Sequence, residues 1–344
     1  MSASPPGSGP APRIVDDGVS GGAVFVAPQR DTRPDDAMLR GGDRRRDPSS
    51  WCPLCAGNES RTPAAVLRIP ADPAVAWLAR IIPNAFPVVG AGRSDPDPGP
   101  GPGRAARGVH DVIVESARHD RSILDIGPDA WGEVWELCRR RLADVADQDD
   151  LRWGTVFKNA GVRAGASLEH VHSQLVALDL VPPALRRELD ATARDPGIFT
   201  GLLARARAEG RIVADHGSLV ALVPDAPRQP FETWILPTAA EAHFHRTSAG
   251  NVRSLAMLTR DIVGRLAVAA PGADFNWWLH DAPFPRAGAE PPPAWHWHLE
   301  ILPRLTELAG FELGTGWHVT TRTAAESARL LREAAPVWRG PRRD

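Results

Sequence analysis

Two segments of this chain alternate in polarity and each carries His-x-His: HVHSQLVAL at residues 170–178 and WHWHLEILP at residues 295–303. In an extended strand, side chains at i, i+2 and i+4 share a face, so this spacing predicts two strands with paired imidazoles. Each segment also closes a similar succession of elements. The first runs AVFVAPQR, VLRIP, AWLARIIPNAFPVV, HDVIVES, the helical WGEVWELCRRRLADVADQ, and WGTVFKN. The second runs IVADHGSLVALVPDAP, FETWILP, a helix from about Val252 to Ala270, and FNWWLH. A repeat of roughly 150 residues favours two similar halves over one doubly wound sheet, and hairpin-length connections favour antiparallel pairing. The expected fold is α+β, with two halves that are each an antiparallel sheet with flanking helices.

The chain divides accordingly. Residues 1–20, rich in Pro, Gly and Ser, read as a flexible lead-in, residues 21–190 as a first domain and residues 191–344 as a second. GAGRSDPDPGPGPGRAARG, near residues 90–108, is too dense in Pro and Gly for helix or interior strand and reads as an exposed loop. Forty basic against 42 acidic residues offer no bulk attraction to nucleic acid or an anionic membrane, so any phosphate binding must be local. Cys52 and Cys55 form a C-x-x-C and Cys138 lies in a helical pattern, which suggests no disulfide framework. With no signal pattern and no unbroken apolar span, the expected location is the cytoplasm.

Three constellations carry chemistry. In GASLEHVHSQL, His170, His172 and Gln174 take alternate strand positions beside a glycine-rich turn at Gly161 and Gly165, a cradle for a phosphate and an attacking imidazole; a solvated strand face would have the same pattern. Cys52-Pro-Leu-Cys55 has zinc-ligand spacing, but a structural site wants four ligands, and His110, His119 and His170 are all available. Arg30 and Arg33 could fork onto phosphate oxygens, and Asn84 could read a base or ribose. In the second half, Trp295-His296-Trp297-His298 is expected to turn its histidines one way and its tryptophans toward the core, with His280 and Glu188 joining the histidines as a second metal site. Neither a P-loop nor a strand-to-helix G-x-G-x-x-G is present.

In chain order, APQRDTRP, WCPLCAGNESRTP, RIIPNAFP, HDVIVESARH, VFKNAGVRAGASLEHVHSQ, PFETWILP, HDAPF and WHWHLEILPRL resemble the galactose-1-phosphate uridylyltransferase family, a branch of the histidine-triad superfamily. The resemblance implies that Cys52, Cys55, His119 and His170 bind Zn2+ and that His172 is a nucleophile carrying the nucleotide covalently. It implies that Gln174 contacts the transferred phosphate and that Asn159, Gly165 and Ser167 hold the phosphoryl group. Arg30 and Arg33 fall where the family meets the diphosphate, and Asn84 where it meets the nucleoside. Glu188, His280, His296 and His298 match a second metal site, for iron or zinc.

The implied activity is transfer of a nucleoside monophosphate, UMP foremost, between a nucleotide sugar and a hexose 1-phosphate, by a homodimer and without nucleic-acid or membrane partners. EHVHSQ and GFELGTG, residues 310–316, are more similar to the ADP-glucose phosphorylase branch, for which AMP would pass to inorganic phosphate. A non-catalytic zinc-dependent binding module is the least favoured reading, because it has no need of His172 beside a zinc-held His170.

Overall fold

The computed structural model describes residues 11–18, 23–35, 47–90, 103–285 and 294–337. Strands β1 (Arg13–Asp16), β2 (Ala23–Val26) and β5 (Arg104–Ala105) form a small antiparallel sheet in the order β2-β1-β5. The remaining strands are β3 (Leu67–Ile69), β4 (Ala79–Pro83), β6 (Gly108–Val114), β7 (Trp153–Ala160), β8 (His172–Leu178), β9 (Ile212–His216), β10 (Leu219–Leu222), β11 (Thr233–Pro237), β12 (Phe275–His280) and β13 (His298–Pro303). These ten make one antiparallel sheet in the order β3-β4-β6-β8-β7-β12-β13-β11-β10-β9.

Read inward from either edge, the order of strands within each half is first, second, third, fifth, fourth. The repeat legible in the sequence is thus a repeat of topology. The halves do not keep separate sheets: β7 pairs antiparallel with β12, setting Asn159 opposite Asn276. Each half-sheet alone would end on an unpaired row of N–H and C=O groups, and this junction satisfies both rows at once.

One long helix follows the third strand of each half: α2 (Pro128–Ala146) after β6 and α5 (Ala249–Ala269) after β11, the short α1 (Pro48–Trp51) lying earlier. Pro128 suits the first turn of α2, where its missing N–H is no loss, and the Ser248 side chain caps α5 by accepting from Asn251 N. Both helices pack on one face of the sheet, where Trp131, Trp135, Leu142, Leu255 and Ile262 meet Ile113, Leu175, Trp277 and Leu299 in a single core. The indoles of Trp131 and Trp135 donate to Thr259 Oγ1 at 3.0 and 3.3 Å, which ties α2 to α5 across the repeat.

The other face differs between the halves. Over the second half lie α3 (Pro183–Arg194) and α4 (Ile198–Ala208), whose Leu185, Phe199 and Leu202 bury Val220, Leu236 and Trp295. Over the first half lie the small sheet and the C-x-x-C segment, each on a lesser apolar cluster. Helices α6 (Gly310–Thr315) and α7 (Ala324–Glu333) complete the described chain, in which no helix is long and apolar enough to cross a membrane.

Four details depart from expectation. Within the segment read as a flexible lead-in, Arg13–Asp16 is strand and Ile14 is fully buried, because it docks on Val89, Val176 and Leu178; residues 1–10 and 19–20 lie outside the described residues. In the segment read as an exposed loop, Arg104–Ala105 pairs with β1, and residues 91–102 lie outside the described residues. Strand β8 starts at His172, so His170 precedes it. Finally, Trp297 joins the helix-backed core while Trp295 packs with Phe199 on the opposite face, 6.0 Å from the His298 ring. Regular alternation over residues 295–298 fails because β13 begins only at His298.

Candidate active site

Strand parity sorts the side chains of β8. Leu175 and Ala177 enter the helix-backed core, whereas Val176 and Leu178 pack under the small sheet, which puts His172 and Gln174 on that second face. His172 heads the strand. Its Nδ1–H donates to the carbonyl of His170 at 2.7 Å, so its Nε2 keeps the lone pair. Burial pushes its pKa down to about 4, so the ring is neutral near pH 7 and its Nε2 carries a lone pair rather than a proton.

Two cavities meet at this ring. One, of about 440 Å³, is lined by Lys158, Asn159, Gly161, Ser167, His170 and His172. The other, of about 310 Å³, is lined by Arg33, Asn84, Phe86, Ser167, His172 and Gln174. Ser167, Leu168 and His172 belong to both.

The remaining expected residues sort by what they touch. Arg33 reaches the cavity, while Arg30 donates to Phe86 O at 2.7 Å and holds the cavity wall. Asn84 Oδ1 accepts from Phe86 N at 2.8 Å. Asn159 lines the larger cavity, and its Oδ1 accepts from Asn276 Nδ2 at 2.8 Å. The same Asn276 amide donates to Ala164 O at 2.9 Å, so a residue of the second half steadies the turn that cradles the first half's cavity. That turn needs its glycines: at Gly161, with φ +90°, a Cβ would fall 1.9 Å from Asp274 Oδ1. Gly165 takes φ +86° at the end of the turn and shapes it, without lining either cavity.

Residues to which the sequence reading gave another role or none line or brace the site. His110, one of three histidines available to the zinc set, is not in it. Its Nδ1 accepts from Val88 N at 3.0 Å, so its Nε2–H donates to Gln174 Oε1 at 2.9 Å. This orients Gln174 and leaves the amide nitrogen as that side chain's donor. Behind His172, Lys158 Nζ donates to the His172 carbonyl at 2.7 Å and to Glu115 Oε2 at 2.6 Å, and Ser173 Oγ donates to Glu115 Oε1. Lys158 is the chain's single lysine among 40 basic residues, a signal that was there to be read. A compact ammonium with three donors fits this buried pocket; a planar guanidinium does not.

Beside His172, Cys52, Cys55, His119 and His170 bring their ligand atoms within 4.8 Å of one another. Cys55 Sγ lies 3.4 Å from His119 Nδ1 and 3.5 Å from His170 Nδ1. His170 Nε2–H donates to Ser116 O at 2.9 Å, which leaves Nδ1 unprotonated toward the sulfurs. The hydrogen bond from Cys55 pushes the Cys52 thiol pKa down. Two sulfurs and two imidazole nitrogens in this arrangement fit a closed tetrahedral site for a divalent metal such as zinc.

In the second half, Glu188, His280 and His298 likewise come within 4.8 Å, while His296 is outside the group, its Nδ1 donating to Pro237 O at 2.8 Å. Glu300 lies beside the group without belonging to it, its Oε1 3.4 Å from His280 Nε2. Burial opposes a charge on His280, but Glu300 and Glu188 outweigh it and raise its pKa to about 10.

With a neutral imidazole at a strand end beside a thiol–imidazole set on one antiparallel sheet, the chain is a nucleotidyltransferase by its similarity to known enzymes. A family model described as "Domain of unknown function (DUF4921)" matches residues 108–332. The chain is 30% identical over 331 residues to the ADP-glucose phosphorylase of Arabidopsis thaliana, covering 94% of this chain and 93% of that one. The crystal structure of an Arabidopsis thaliana ADP-glucose phosphorylase with bound ADP-glucose superposes with a TM-score of 0.72 at 29% identity, over 94% of this chain and 100% of that one. The galactose-1-phosphate uridylyltransferase of Thermotoga maritima is 24% identical over 242 residues, 66% of this chain and 74% of that one. The chain belongs to the galactose-1-phosphate uridylyltransferase-like family, which includes both kinds of enzyme.

Proposed function

We propose that this protein is an ADP-glucose phosphorylase-like enzyme that moves AMP from a nucleotide sugar to inorganic phosphate through a covalent nucleotidyl-His172 intermediate. The observation that carries the chemistry is the His172 hydrogen bond to the His170 carbonyl, which points a neutral Nε2 lone pair at the junction of two cavities. In the first displacement Nε2 attacks the α-phosphorus; the P–N bond forms and the sugar 1-phosphate leaves with the electron pair of the broken P–O bond. In the second, a phosphate oxygen attacks the same phosphorus and the P–N bond breaks, releasing a nucleoside diphosphate. Gln174 donates to the transferred phosphate, joined by Ser167 and Asn159, while Arg33 meets the diphosphate and Asn84 the nucleoside. Cys52, Cys55, His119 and His170 would hold a zinc ion, which would anchor the strand end and keep His172 aligned.

The choice of AMP over UMP rests on the 30% identity to the phosphorylase across nearly the whole chain. UMP transfer to a hexose 1-phosphate is the second reading, favoured by the Thermotoga relative. A homodimer accompanies either one: Phe311, Leu313, Trp317 and Val319 are all more than half exposed, an apolar surface suited to a second copy. Incubating the protein with ADP-glucose and, separately, UDP-glucose, each labelled in the α-phosphate, distinguishes the readings. The phosphorylase reading expects an acid-labile labelled protein from ADP-glucose and its discharge by inorganic phosphate. Labelling by UDP-glucose alone would overturn it in favour of the uridylyltransferase.

A further inference from the structure

A third cluster lies apart from both sets already described. His243 caps the short turn Phe244–Arg246 that follows β11, His245 lies within it, and Asp281 follows β12; all three are more than nine-tenths buried. Their ligand atoms come within 4.8 Å of one another. His243 Nδ1 is 3.8 Å from Asp281 Oδ1 and His245 Nδ1 is 3.6 Å from Asp281 Oδ2, both too long for hydrogen bonds. Both nitrogens of His243, His245 Nδ1 and Asp281 Oδ2 are buried without a hydrogen-bond partner. Native interiors rarely strand four such atoms in one place.

We propose that His243, His245 and Asp281 supply three ligands of a binding site for a divalent first-row transition metal, zinc or ferrous iron, with a water molecule as the fourth. With metal–N and metal–O bonds of about 2.0–2.2 Å, ligand atoms around a tetrahedral ion stand roughly 3.3–3.6 Å apart, and His245 Nδ1 stands 3.6 Å from Asp281 Oδ2. The frame is built before any ion arrives: Phe244 N donates to Asp281 Oδ1 at 2.9 Å, Ala282 N to Ala242 O at 3.2 Å, and the Trp153 indole to Asp281 O at 3.0 Å. Asp281 is thus held by one oxygen and offers the other. Two imidazoles and a carboxylate suit zinc or ferrous iron. The repeat supports the assignment, because His119 of the thiol–imidazole set lies in the equivalent connection of the first half, after β6. None of the three residues lines either cavity at His172, so the ion would clamp the β11–α5 connection to the end of β12 without touching substrate.

The test uses the full-length protein. Crystals of the wild type, grown with zinc and with ferrous iron, are measured above and below the absorption edge of each metal. The site predicts an anomalous peak between His243, His245 and Asp281, and no peak with either metal overturns it. In solution, elemental analysis of Asp281→Asn and His243→Gln should find one metal equivalent per chain fewer than wild type, and Cys55→Ser/Asp281→Asn should lose one more than Cys55→Ser alone. Equal metal content in wild type and both single variants would also overturn it. Should a variant fail to fold, the wild-type crystals decide.

Discussion

His172 and His298 hold the same position in the two half-sheets: each heads the fifth strand of its half and donates Nδ1–H to the carbonyl two residues earlier, at 2.7 and 3.0 Å. What separates them is cover. His298 is stacked against Trp234 and His280, with Phe199 of α4 beside it, whereas His172 opens onto two cavities. Both rings border cavities, His298 one of about 470 Å³ lined also by Glu188, Phe199, Trp234 and Glu300, so the repeat supplies two imidazoles in like positions whose surroundings α3 and α4 make different.

His172→Ala should abolish nucleotide transfer and the covalent intermediate, a loss of about a thousandfold or more, with zinc content and fold retained. Transfer assays, acid trapping and metal analysis on one preparation check this. Retained transfer would remove His172 from the mechanism.

The same ring sets a pH dependence. His172 and His110 both have pKa values pushed down to about 4 by burial, below the unfolded value of about 6.5. Between these values the unfolded chain binds protons that the folded chain does not. Their contribution is therefore fully favourable above about pH 6.5 and is lost as pH falls toward 4, on the order of 3 kcal/mol for each ring. Over the same window His172 stays neutral, so the rate of nucleotidylation should hold down to about pH 5 while unfolding free energy declines. A rate that instead falls with an apparent pKa near 6.5 would place the nucleophile in a solvated environment.

Gln174 accepts from His110 and has no proton to exchange at neutral pH. Gln174→His should leave the intermediate forming but increase its loss to water, because an added imidazole can assist proton transfer. The ratio of hydrolysis to transfer is the measurement. An unchanged ratio would assign the suppression of hydrolysis to exclusion of water.

Lys158 and Glu115 form a buried pair, and either one left alone is an uncompensated charge. Lys158→Met should destabilise by about 3–5 kcal/mol in chemical denaturation, and adding Glu115→Gln should restore part of the loss. Additive costs would mean that the two groups do not depend on each other.

The two expected metal sets should respond differently. Cys55→Ser opens the set next to His172, so both melting temperature and turnover should fall, turnover by about tenfold or more. His298→Ala touches a set walled off from the cavities at His172, so metal content and melting temperature should fall with a smaller loss of turnover. Metal analysis, melting curves and assays on both variants decide. If folded His298→Ala is as inactive as His172→Ala, the reactive centre lies in the other half.

The repeat, the antiparallel strands, the C-x-x-C and the His-x-His were legible in the sequence because each is a local pattern: a period of two, a fixed ligand spacing, a recurring order of elements. Those patterns placed His170, His172 and Gln174 together, and Cys52 with Cys55. They could not say that β7 would pair with β12 to make one sheet, nor that Asn276 would thereby brace the turn beside Asn159, 117 residues away. They named His110 as a zinc candidate and put His296 with His298, whereas the β6–β8 pairing set His110 opposite Val176 and diagonally onto Gln174, and the start of β13 left His296 outside the second set. Likewise Lys158 with Glu115, and His243 and His245 with Asp281, meet only through pairing and packing. Such meetings depend on which strands become neighbours and on what covers each face, and a linear pattern carries information about neither.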